Sequence, residues 1–344
     1  DTLLVSRLLE PTKEKGHSLD AWGEELKEKK LDYKAVWCWL MGRDEGYAGE
    51  CFDSPHYPLL EHYCLRDVSV LVRLFHHLQL ALTSKGFSND SVQLEHEVAA
   101  IIAQQERNGF KLDIQHATLL LTHLKGKMAD IDDAMQKRWP PVVRERYSEK
   151  TGKRLKDETI VFNPGSRKQI GEKLQELGWK PKKFTETGQP IVDEVVLADV
   201  DLPEAKLIAQ YLLLQKRIAQ VESWLEAIGA DGRVHGKVIT NGAVTGRMTH
   251  SKPNMAQIPN AGSLYGPECR QCWTVENGNV LVGCDASGLE LRMLAHFMKD
   301  ENYVRTVTEG SSKEGTDVHT VNQKAAGLDR KSTRLNSSHI TISY

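Results

Sequence analysis

Long helical patterns fill most of the first 229 residues, and they restrict the fold of this chain more than any other feature. Apolar residues recur there at spacings of three and four, which is the period of an amphipathic α-helix. These patterns cover residues 18–30, 57–82, 91–109, 114–139, 166–179 and 204–228. After residue 229 the sequence changes to short strand-like segments between turns rich in Gly, Asn and Pro. The sequence therefore predicts a largely helical body followed by a part that contains β-structure.

Capping residues predict where several of these helices begin and end. Ser18 and Ser166 can cap helix N-termini, because a hydroxyl oxygen accepts from the free backbone N–H groups of the first turn. Gly109 can end the helix before it, and the proline pair at 140–141 stops the helix over 114–139. On the helix predicted over 57–82, the apolar face comprises Leu59, Leu60, Tyr63, Val68, Leu71, Leu74 and Phe75.

The composition is that of a globular protein with unevenly distributed charge. The chain has 344 residues, of which 40% are hydrophobic and 27% charged, and this length allows two or three domains. No run of 18 apolar residues occurs, so we expect no membrane span and a cytoplasmic location. The net charge of −2 does not favour a uniformly basic nucleic-acid-binding protein. Residues 167–183, however, carry six basic and two acidic side chains, a local excess that suits phosphate contacts.

The six cysteines are scattered along the sequence, which indicates a reducing, intracellular setting rather than a disulfide framework. Cys269 and Cys272 form the one CxxC motif. A second pair at zinc-finger spacing is absent from the sequence, so the motif does not favour a structural metal site.

The stretch LVGCDASGLELRMLAHFM, residues 281–298, predicts a buried strand followed by a helix. Asp285 falls at the carboxyl end of the strand, where a side chain in such a unit is exposed to a ligand. Ser287 and Glu290 have the spacing of a capping box. A helical apolar stripe then continues through Leu291, Leu294, Ala295 and Met298. The local sequence leaves two interpretations of Asp285 open: it binds a metal ion, or it only ends the strand.

Six motifs occur in the order and spacing of one enzyme family. They are QKRIAQ, DGRVHG, NGAVTGRMTH, PNMAQIP, DASGLELRMLAHFM and DVHTVNQKAAG. With these motifs the chain resembles the family A DNA polymerases, in particular the replicative polymerases of short-tailed bacteriophages. Upstream, FNPGSRKQIGEKLQELGW resembles the thumb of that family, and HYCLRDVSVL resembles the third motif of its proofreading exonuclease. The resemblance covers residues 1–328 and implies DNA-directed DNA synthesis in phage replication.

The resemblance also implies a polymerase active site around Asp285. Nucleotide addition in this family uses two divalent ions, and Mg²⁺ is expected because it prefers oxygen ligands. Asp285 would be one of the two polymerase carboxylates, and the backbone carbonyl of Ala286 would be a further metal ligand. Glu290 matches the residue that excludes a 2′-OH, a role compatible with a helix cap. His319 matches a contact to the incoming dNTP, although without the resemblance it would be interpreted as a surface histidine.

The same resemblance implies a surface for primer–template DNA. Arg247 matches a contact to the duplex, where it can reach the minor-groove acceptors that every base pair presents. Lys216 and Arg217 match DNA-contacting positions on a thumb helix, although such a pair on an amphipathic helix is commonly a solvated face. The remaining implied DNA contacts are Gln257, Ser166, Arg167 and Lys168.

Tyr63 and Asp67 form a YxxxD unit, whose two side chains lie on one face of a helix. The resemblance implies that Asp67 binds a metal ion of the exonuclease and that Tyr63 orients the attacking water. The chain begins after the two earlier exonuclease motifs, which supply the other carboxylates. We therefore expect no exonuclease activity.

The expected architecture is α+β and multidomain. Residues 1–92 are expected to be the C-terminal part of an RNase H-like 3′–5′ exonuclease domain. Residues 93–240 are expected to be a helical thumb, and residues 241–328 the first part of an antiparallel-sheet palm. Residues 329–344 back-translate to a sequence that looks like a sequencing-library adapter, so we expect them to be assembly read-through.

Several departures from the family pattern suggest a fragment. The chain opens on Asp1 without a Met, and the fingers helix expected after residue 328 is missing. No His-Asp dipeptide occurs, so the motif that supplies the second polymerase carboxylate is also missing. We therefore expect this fragment to be inactive, whereas its full-length parent extends primers. The segment 139–159 is too short for the thumb insertion that binds thioredoxin in some phages, which argues against a partner of that type.

Three other functions compete with a polymerase. A DNA-binding protein without catalysis is compatible with the fragment, because its thumb contacts survive. An RNase H-like nuclease would need several acidic motifs before Tyr63, and the sequence does not contain them. An aspartic protease is suggested by CDASGLE, but Ala286 interrupts the Asp-Ser/Thr-Gly pattern and no second copy occurs.

Overall fold

The chain forms two compact units, Asp1–Asn279 and Val280–Tyr344. The computed structural model describes residues 1–44, 51–52, 56–147, 152–154, 156–286, 288–311, 313–325 and 327. Of the helices in these ranges, none has both the length and the apolar composition needed to span a membrane.

The first unit is mainly helical, as the sequence predicts. Within the described residues its helices are α1 (Thr2–Leu9), α2 (Leu19–Glu25), α3 (Tyr33–Leu40), α4 (Tyr57–Ser84), α5 (Asn89–Asn108), α6 (Ile114–Arg138), α7 (Arg167–Glu176), α8 (Glu194–Ala198), α9 (Pro203–Glu226) and α10 (Gly266–Gln271), with a 3₁₀ turn at Met255–Gln257. The predicted caps are confirmed, because Ser18 accepts from the Ala21 backbone N–H and Ser166 accepts from that of Gln169. The expected domain boundary between residues 92 and 93 falls inside α5, so the proposed domain limits stay predictions.

Short antiparallel strands complete the first unit. They are β1 (Phe110–Leu112), β2 (Val142–Arg144), β3 (Glu158–Ile160), β4 (Arg233–Val234), β5 (Lys237–Ile239), β6 (Thr249–Ser251) and β7 (Trp273–Thr274). A three-stranded sheet has the order β4-β1-β7, and Lys111 on the central strand pairs with Arg233 and with Thr274. The other strands form two hairpins, β2-β3 and β5-β6. Of these strands, β4 to β7 follow residue 229, as predicted, whereas β1, β2 and β3 lie in the part that was predicted to be helical.

Helices α6 and α9 pack against each other and share two hydrophobic cores. In the first core, Leu120 and Leu124 of α6 meet the C-terminal half of α9, which contributes Leu214, Ile218, Val221 and Trp224. Val234 of β4 and both cysteines of the CxxC motif belong to the same core. In the second core, Met135 near the end of α6 meets the start of α9 at Ala205 and Ile208. The two helices therefore run antiparallel.

The N-terminal helices pack around α4, and the predicted apolar face is confirmed at Leu59 and Leu74 but not along its whole length. The structure buries Leu59, Val70, Leu74, Leu78 and Leu82 on this helix. The predicted core positions Val68, Leu71 and Phe75 are instead 56%, 41% and 49% exposed. The prediction was wrong at these positions because apolar residues surround much of α4, so the helical period alone does not select the stripe that meets α1, α2 and α3.

The second unit contains, within its described residues, α11 (Leu289–Met298), α12 (Glu301–Glu309) and α13 (Val318–Ala325). The buried strand predicted before α11 is wrong. Residues 280–286 form no strand, and Val280, Leu281 and Val282 are 79%, 63% and 87% exposed. A strand requires a hydrogen-bonded neighbour. No described strand pairs with this segment, so its apolar composition alone does not produce β-structure.

Arg233 stabilises the turn between α5 and β1 through hydrogen bonds and an ion pair. Its Nε donates to the backbone carbonyl of Asn108 at 2.6 Å, and one of its terminal nitrogens forms an ion pair with Glu276 at 2.7 Å. Another terminal nitrogen donates to the Gly109 carbonyl at 3.3 Å. Arg233 thus connects the end of α5 with the segments that carry β4 and β7.

His235 and Glu106 form the second half of this junction. His235 Nδ1 lies 2.7 Å from the Glu106 carbonyl oxygen and donates to it, and its Nε2 lies 3.2 Å from Asp231. The hydrogen bond to the Glu106 carbonyl and the contact with Asp231 raise the pKa of His235. The Glu106 carboxylate in turn accepts from the Val238 backbone N–H at 2.7 Å. These contacts hold the start of β5 against the end of α5.

Replacing Gly109 by Ala should destabilise this junction. Gly109 has φ 60° and ψ −173°, a conformation essentially confined to glycine, and a β-carbon there would lie 2.8 Å from His235 Cε1. We expect Gly109→Ala to lower the free energy of unfolding by about 2–4 kcal/mol, from backbone strain and overpacking together. Urea unfolding followed by circular dichroism measures the change.

The matched control is Gly86→Ala. Gly86 also has a positive φ, of 72°, but a β-carbon there would meet no atom of the described residues within 4 Å. For this control, backbone strain alone predicts that the free energy of unfolding falls by about 1–2 kcal/mol. Equal losses in the two variants would contradict the close contact between Gly109 and His235.

Candidate active site and DNA-contact surface

In the second unit, Asp285 lies in an exposed segment directly before α11. The backbone carbonyl of the next residue, Ala286, accepts from the Leu289 N–H at 3.3 Å, which closes the turn into the helix. A carbonyl oxygen has two lone pairs, so this hydrogen bond leaves Ala286 able to contact a cation. Asp285 and Ala286 thus present two oxygen donors next to each other at the start of α11.

These two donors suit a hard divalent ion but do not complete a site for one. Mg²⁺ takes six oxygen ligands and usually keeps several waters, with one or two carboxylates from the protein. In the part of the chain that the structure describes, no three His, Cys, Asp or Glu side chains come close enough to hold a metal ion. A divalent ion at this turn would therefore need ligands besides Asp285 and Ala286.

Glu290 lies in the first turn of α11, but it does not form the predicted capping box. The N-cap is Gly288, with φ 60°, and it provides no side-chain cap. Glu290 is then the second helical residue, whereas a capping box needs an acidic side chain at the third. The predicted cap, Ser287, lies outside the described residues. Negative charge in the first turn still interacts favourably with the helix dipole.

His319 is exposed near the start of α13, and Asp317 fixes the backbone around it. The Asp317 carboxylate accepts from the backbone N–H of His319 at 3.1 Å and from the Thr320 hydroxyl at 2.5 Å. The bond from Thr320 is the largest of the contacts that lower the pKa of Asp317. The sequence interpretation missed Asp317, although an Asp three residues before a Thr at a helix start is a typical capping pattern.

In the first unit, Arg247 and Gln257 are both exposed. Arg247 lies in the β5–β6 turn, and its carbonyl accepts from the Ala243 N–H at 3.0 Å. Gln257 ends the 3₁₀ turn, and its carbonyl accepts from the side chain of Gln220 on α9 at 2.6 Å. The backbone at both positions is thus anchored while the side chains face solvent.

Lys216 and Arg217 are neighbours on α9, but the Lys216 side chain faces solvent and the Arg217 side chain is buried. Lys216 is exposed, whereas Arg217 is only 9% exposed, and its Nε has no hydrogen-bond partner among the described residues. Cys269 of the adjacent core lies near enough for the guanidinium charge to oppose the rise that burial causes in the pKa of that thiol. Of the two predicted DNA contacts, the structure therefore presents only Lys216 freely at the surface.

The predicted phosphate-binding helix start is well ordered by its own polar contacts. Ser166 caps α7, and the side chain of Gln169 accepts from the Asn163 backbone N–H at 2.7 Å. Arg167 and Lys168 are exposed in the first turn. Of the six basic residues in 167–183, Lys173 is paired with Glu176 at 2.8 Å. The others form no ion pair with any described carboxylate: Arg167, Lys168, Lys180, Lys182 and Lys183.

Tyr63 and Asp67 share one face of α4, as predicted, and Lys30 lies between them. The Lys30 ammonium is 3.1 Å from an Asp67 carboxylate oxygen and 3.3 Å from the Tyr63 hydroxyl. Burial alone would lower the pKa of Lys30, but the hydrogen bonds to Asp67 and Tyr63 raise it overall. The other Asp67 oxygen is buried without a hydrogen-bond partner in the described structure. Lys30 was missed because it is remote in sequence and belongs to no motif.

The CxxC cysteines are core residues. Cys269 and Cys272 are fully buried among the side chains of α6 and α9. Burial raises the pKa of Cys272 to about 12, so its thiol stays protonated at neutral pH. Metal binding requires the thiolate, and no third ligand lies nearby in the described structure. The two cysteines therefore contribute to the hydrophobic core that α6 and α9 share.

The chain is similar to known DNA polymerases along most of its length. The family model of DNA polymerase family A matches residues 142–334. The chain is 32% identical to the DNA-directed DNA polymerases of Enterobacteria phage T3 and Escherichia phage T7, over 95% of this chain and 60% of each relative. Its fold is similar to the POL domain of Pol1 from M. smegmatis in complex with DNA primer-template and dNTP, with a TM-score of 0.69 and 21% identity, over 96% of this chain and 50% of that chain.

Proposed function

Because the chain belongs to the family A DNA polymerases, we propose that the whole protein replicates phage DNA by template-directed nucleotidyl transfer. The chain spans 60% of the length of the phage polymerases that it resembles, so the activity is proposed for the protein as a whole. Primer–template DNA and dNTPs are the proposed substrates.

One observation carries the proposed active site. The exposed Asp285 carboxylate and the Ala286 carbonyl adjoin at the turn into α11, inside the region that matches the family. Mg²⁺, when bound by these oxygens and a second carboxylate, would stabilise the attacking and leaving oxygens of an in-line displacement. Because the segment before α11 is exposed, Asp285 needs no rearrangement of a core to reach a ligand.

Glu290 and His319 are proposed to bind the incoming nucleotide. Glu290 lies two helical positions after Gly288, in the turn that follows Asp285. We assign its side chain to exclusion of a 2′-OH, as the family resemblance implies. The exposed imidazole of His319 can donate to an oxygen of the triphosphate. Its position is fixed by the bond from its backbone N–H to Asp317.

The DNA surface is proposed to lie mainly on α7 and the β5–β6 turn. The unpaired basic residues around α7 supply positive charge, and the helix N-terminus favours anions. Arg247 on the β5–β6 turn is exposed and would contact the duplex. Lys216 and Gln257 add exposed polar side chains from the first unit. The overall charge of −2 is compatible with this role because the positive charge is local.

The YxxxD unit is proposed to be a vestige of a proofreading exonuclease that no longer acts in this chain. The Lys30 ammonium, 3.1 Å from Asp67, already supplies positive charge to that carboxylate. In the part of the chain that the structure describes, no three His, Cys, Asp or Glu side chains come close enough to hold a metal ion there. Tyr63 and Asp67 therefore serve here to join α4 to the segment after α2.

Asp285→Asn should abolish primer extension by the whole protein without unfolding it. The amide keeps the size of the side chain but loses the charge that a divalent ion requires. We expect extension on a primed template to fall by at least about a thousandfold, since two-metal catalysis supplies several kcal/mol. Asp201→Asn, at a fully exposed position in the first unit, is the control and should extend normally. Near-normal extension by Asp285→Asn would remove Asp285 from the metal site.

Glu290→Ala should relax the exclusion of ribonucleotides. Removing the carboxylate leaves room for a 2′-OH, so we expect the preference for dNTPs over rNTPs to fall in single-nucleotide incorporation. Loss of the interaction with the helix dipole should itself lower the free energy of unfolding by about 0.3–1 kcal/mol. Unchanged sugar discrimination would leave Glu290 a helix-stabilising residue only.

A second function, binding of primer–template DNA without synthesis, is favoured for the 344-residue chain itself. The supporting observation is the absence of a metal-binding cluster among the described residues, beside a basic surface around α7. We expect this chain to shift a primer–template duplex in a gel and to leave the primer unextended in the presence of Mg²⁺ and dNTPs. Extension by this chain would show that the residues present suffice for catalysis.

A further inference from the structure

The β5–β6 hairpin, residues 237–251, is attached to α5 by two glutamates of that helix. Glu106, near the end of α5, accepts from the backbone N–H of Val238 at 2.7 Å. Glu95 accepts from the side-chain amide of Asn241 at 2.6 Å. The first contact holds β5, and the second holds the residue at which the turn of the hairpin begins.

The two glutamates lie on one face of a helix that is itself well supported. Eleven positions separate Glu95 from Glu106, and eleven residues complete about three helical turns with a rise of about 16 Å. At the start of α5, Val92 packs against the core that α1, α2 and α4 share. After its end, the Gly109 carbonyl accepts from Arg233 at 3.3 Å. The hairpin therefore rests at two separate points on a helix that is anchored at both ends.

The turn of the hairpin has little room to move independently of its strands. The Ala243 N–H donates to the Arg247 carbonyl at 3.0 Å, across the turn. A β-carbon on Gly242 would overlap the side chain of Thr249, so the start of the turn lies directly against β6. A shift of the hairpin on α5 would therefore move the Arg247 backbone with it.

We propose that Glu95 and Glu106 are positioning residues for the duplex contact of Arg247. By holding the hairpin on α5, they set the distance between the Arg247 side chain and the minor groove. A binding side chain has to be held within about 0.5 Å of its productive position. Glu106 is paired with Lys237 at 2.9 Å, so its charge is compensated within the protein. The inference rests on the proposed DNA contact of Arg247.

The sign of the effect on DNA affinity tests the inference. Removing an acidic residue should by itself strengthen binding to a polyanion or leave it unchanged, whereas removing a positioning residue weakens it. We expect Glu95→Ala to raise the Kd of the 344-residue chain for a primer–template duplex by about threefold or more, measured by fluorescence anisotropy. Glu95→Gln keeps an oxygen that accepts from Asn241 and should retain the unmodified Kd.

The matched control is Glu97→Ala. Glu97 is an exposed carboxylate on the same helix, and it accepts from Gln93 of that helix at 2.7 Å. Its removal takes away the same charge without touching the hairpin, so the Kd should not rise. Glu106 is tested in the same way: Glu106→Ala should raise the Kd, whereas Glu106→Gln, which keeps an acceptor for the Val238 N–H, should raise it less.

A double-mutant cycle separates positioning from a general structural effect. If Glu95 acts through Arg247, Glu95→Ala has no further effect on the Kd in an Arg247→Ala background. Equal weakening in both backgrounds would overturn the inference, and so would an unchanged Kd for Glu95→Ala alone. Circular dichroism verifies the fold of each variant. If Glu95→Ala unfolds, Asn241→Ala removes the same hydrogen bond from the hairpin side and is judged by the same criteria.

Arg247→Ala alone tests the proposed function on which the inference rests. Loss of its groove contact should raise the Kd by about tenfold. If the unmodified chain binds no primer–template DNA, or if Arg247→Ala leaves the Kd unchanged, the proposed contact and the inference both fail. If Arg247→Ala weakens binding and Glu95→Ala does not, only the inference fails.

Discussion

The antiparallel packing of α6 against α9 is the interaction on which the first unit depends. Each helix has about 25 residues and a length near 37 Å, so the pair reaches from one hydrophobic core to the other. At one end, Trp224 and Leu120 belong to the core that also holds β4 and the CxxC cysteines. At the other end, Ala205 and Met135 belong to the core that supports α7 and the base of the β2–β3 hairpin. The residues proposed to contact DNA are positioned by these two ends.

Much of the first unit could be predicted because its structure is local. The caps at Ser18 and Ser166 and the end of α5 at Gly109 depend on hydrogen bonds within a few residues, and all three predictions are confirmed. The family was also predictable, since its motifs occur in a fixed order, and membership in family A is confirmed. The strand before α11 could not be predicted from composition, because pairing with a neighbour decides whether an apolar segment becomes a strand.

In the candidate site, too, the sequence identifies residues that belong to local motifs but not contacts that depend on tertiary packing. The sequence identified Asp285 and His319 as positions of interest, and the structure places both at helix starts with exposed side chains. The sequence could not reveal that Arg217 points into the core while Lys216 does not, because this depends on how α9 packs. Nor could it reveal the contact between Lys30 and Asp67, which joins segments 37 positions apart in the printed sequence. Such contacts follow from packing and leave no local pattern.

The length of α9 has a mechanical consequence. From Trp224 in one core to Ala205 in the other, the helix rises about 28 Å. A rigid rod of that length acts as a lever, so a rotation of about 7° at the Trp224 end would displace the Ala205 end by about 3.4 Å. A small change of packing around Trp224, in the core that also holds β4 and Cys269, would therefore be felt at the other end of the helix, in the core that supports α7.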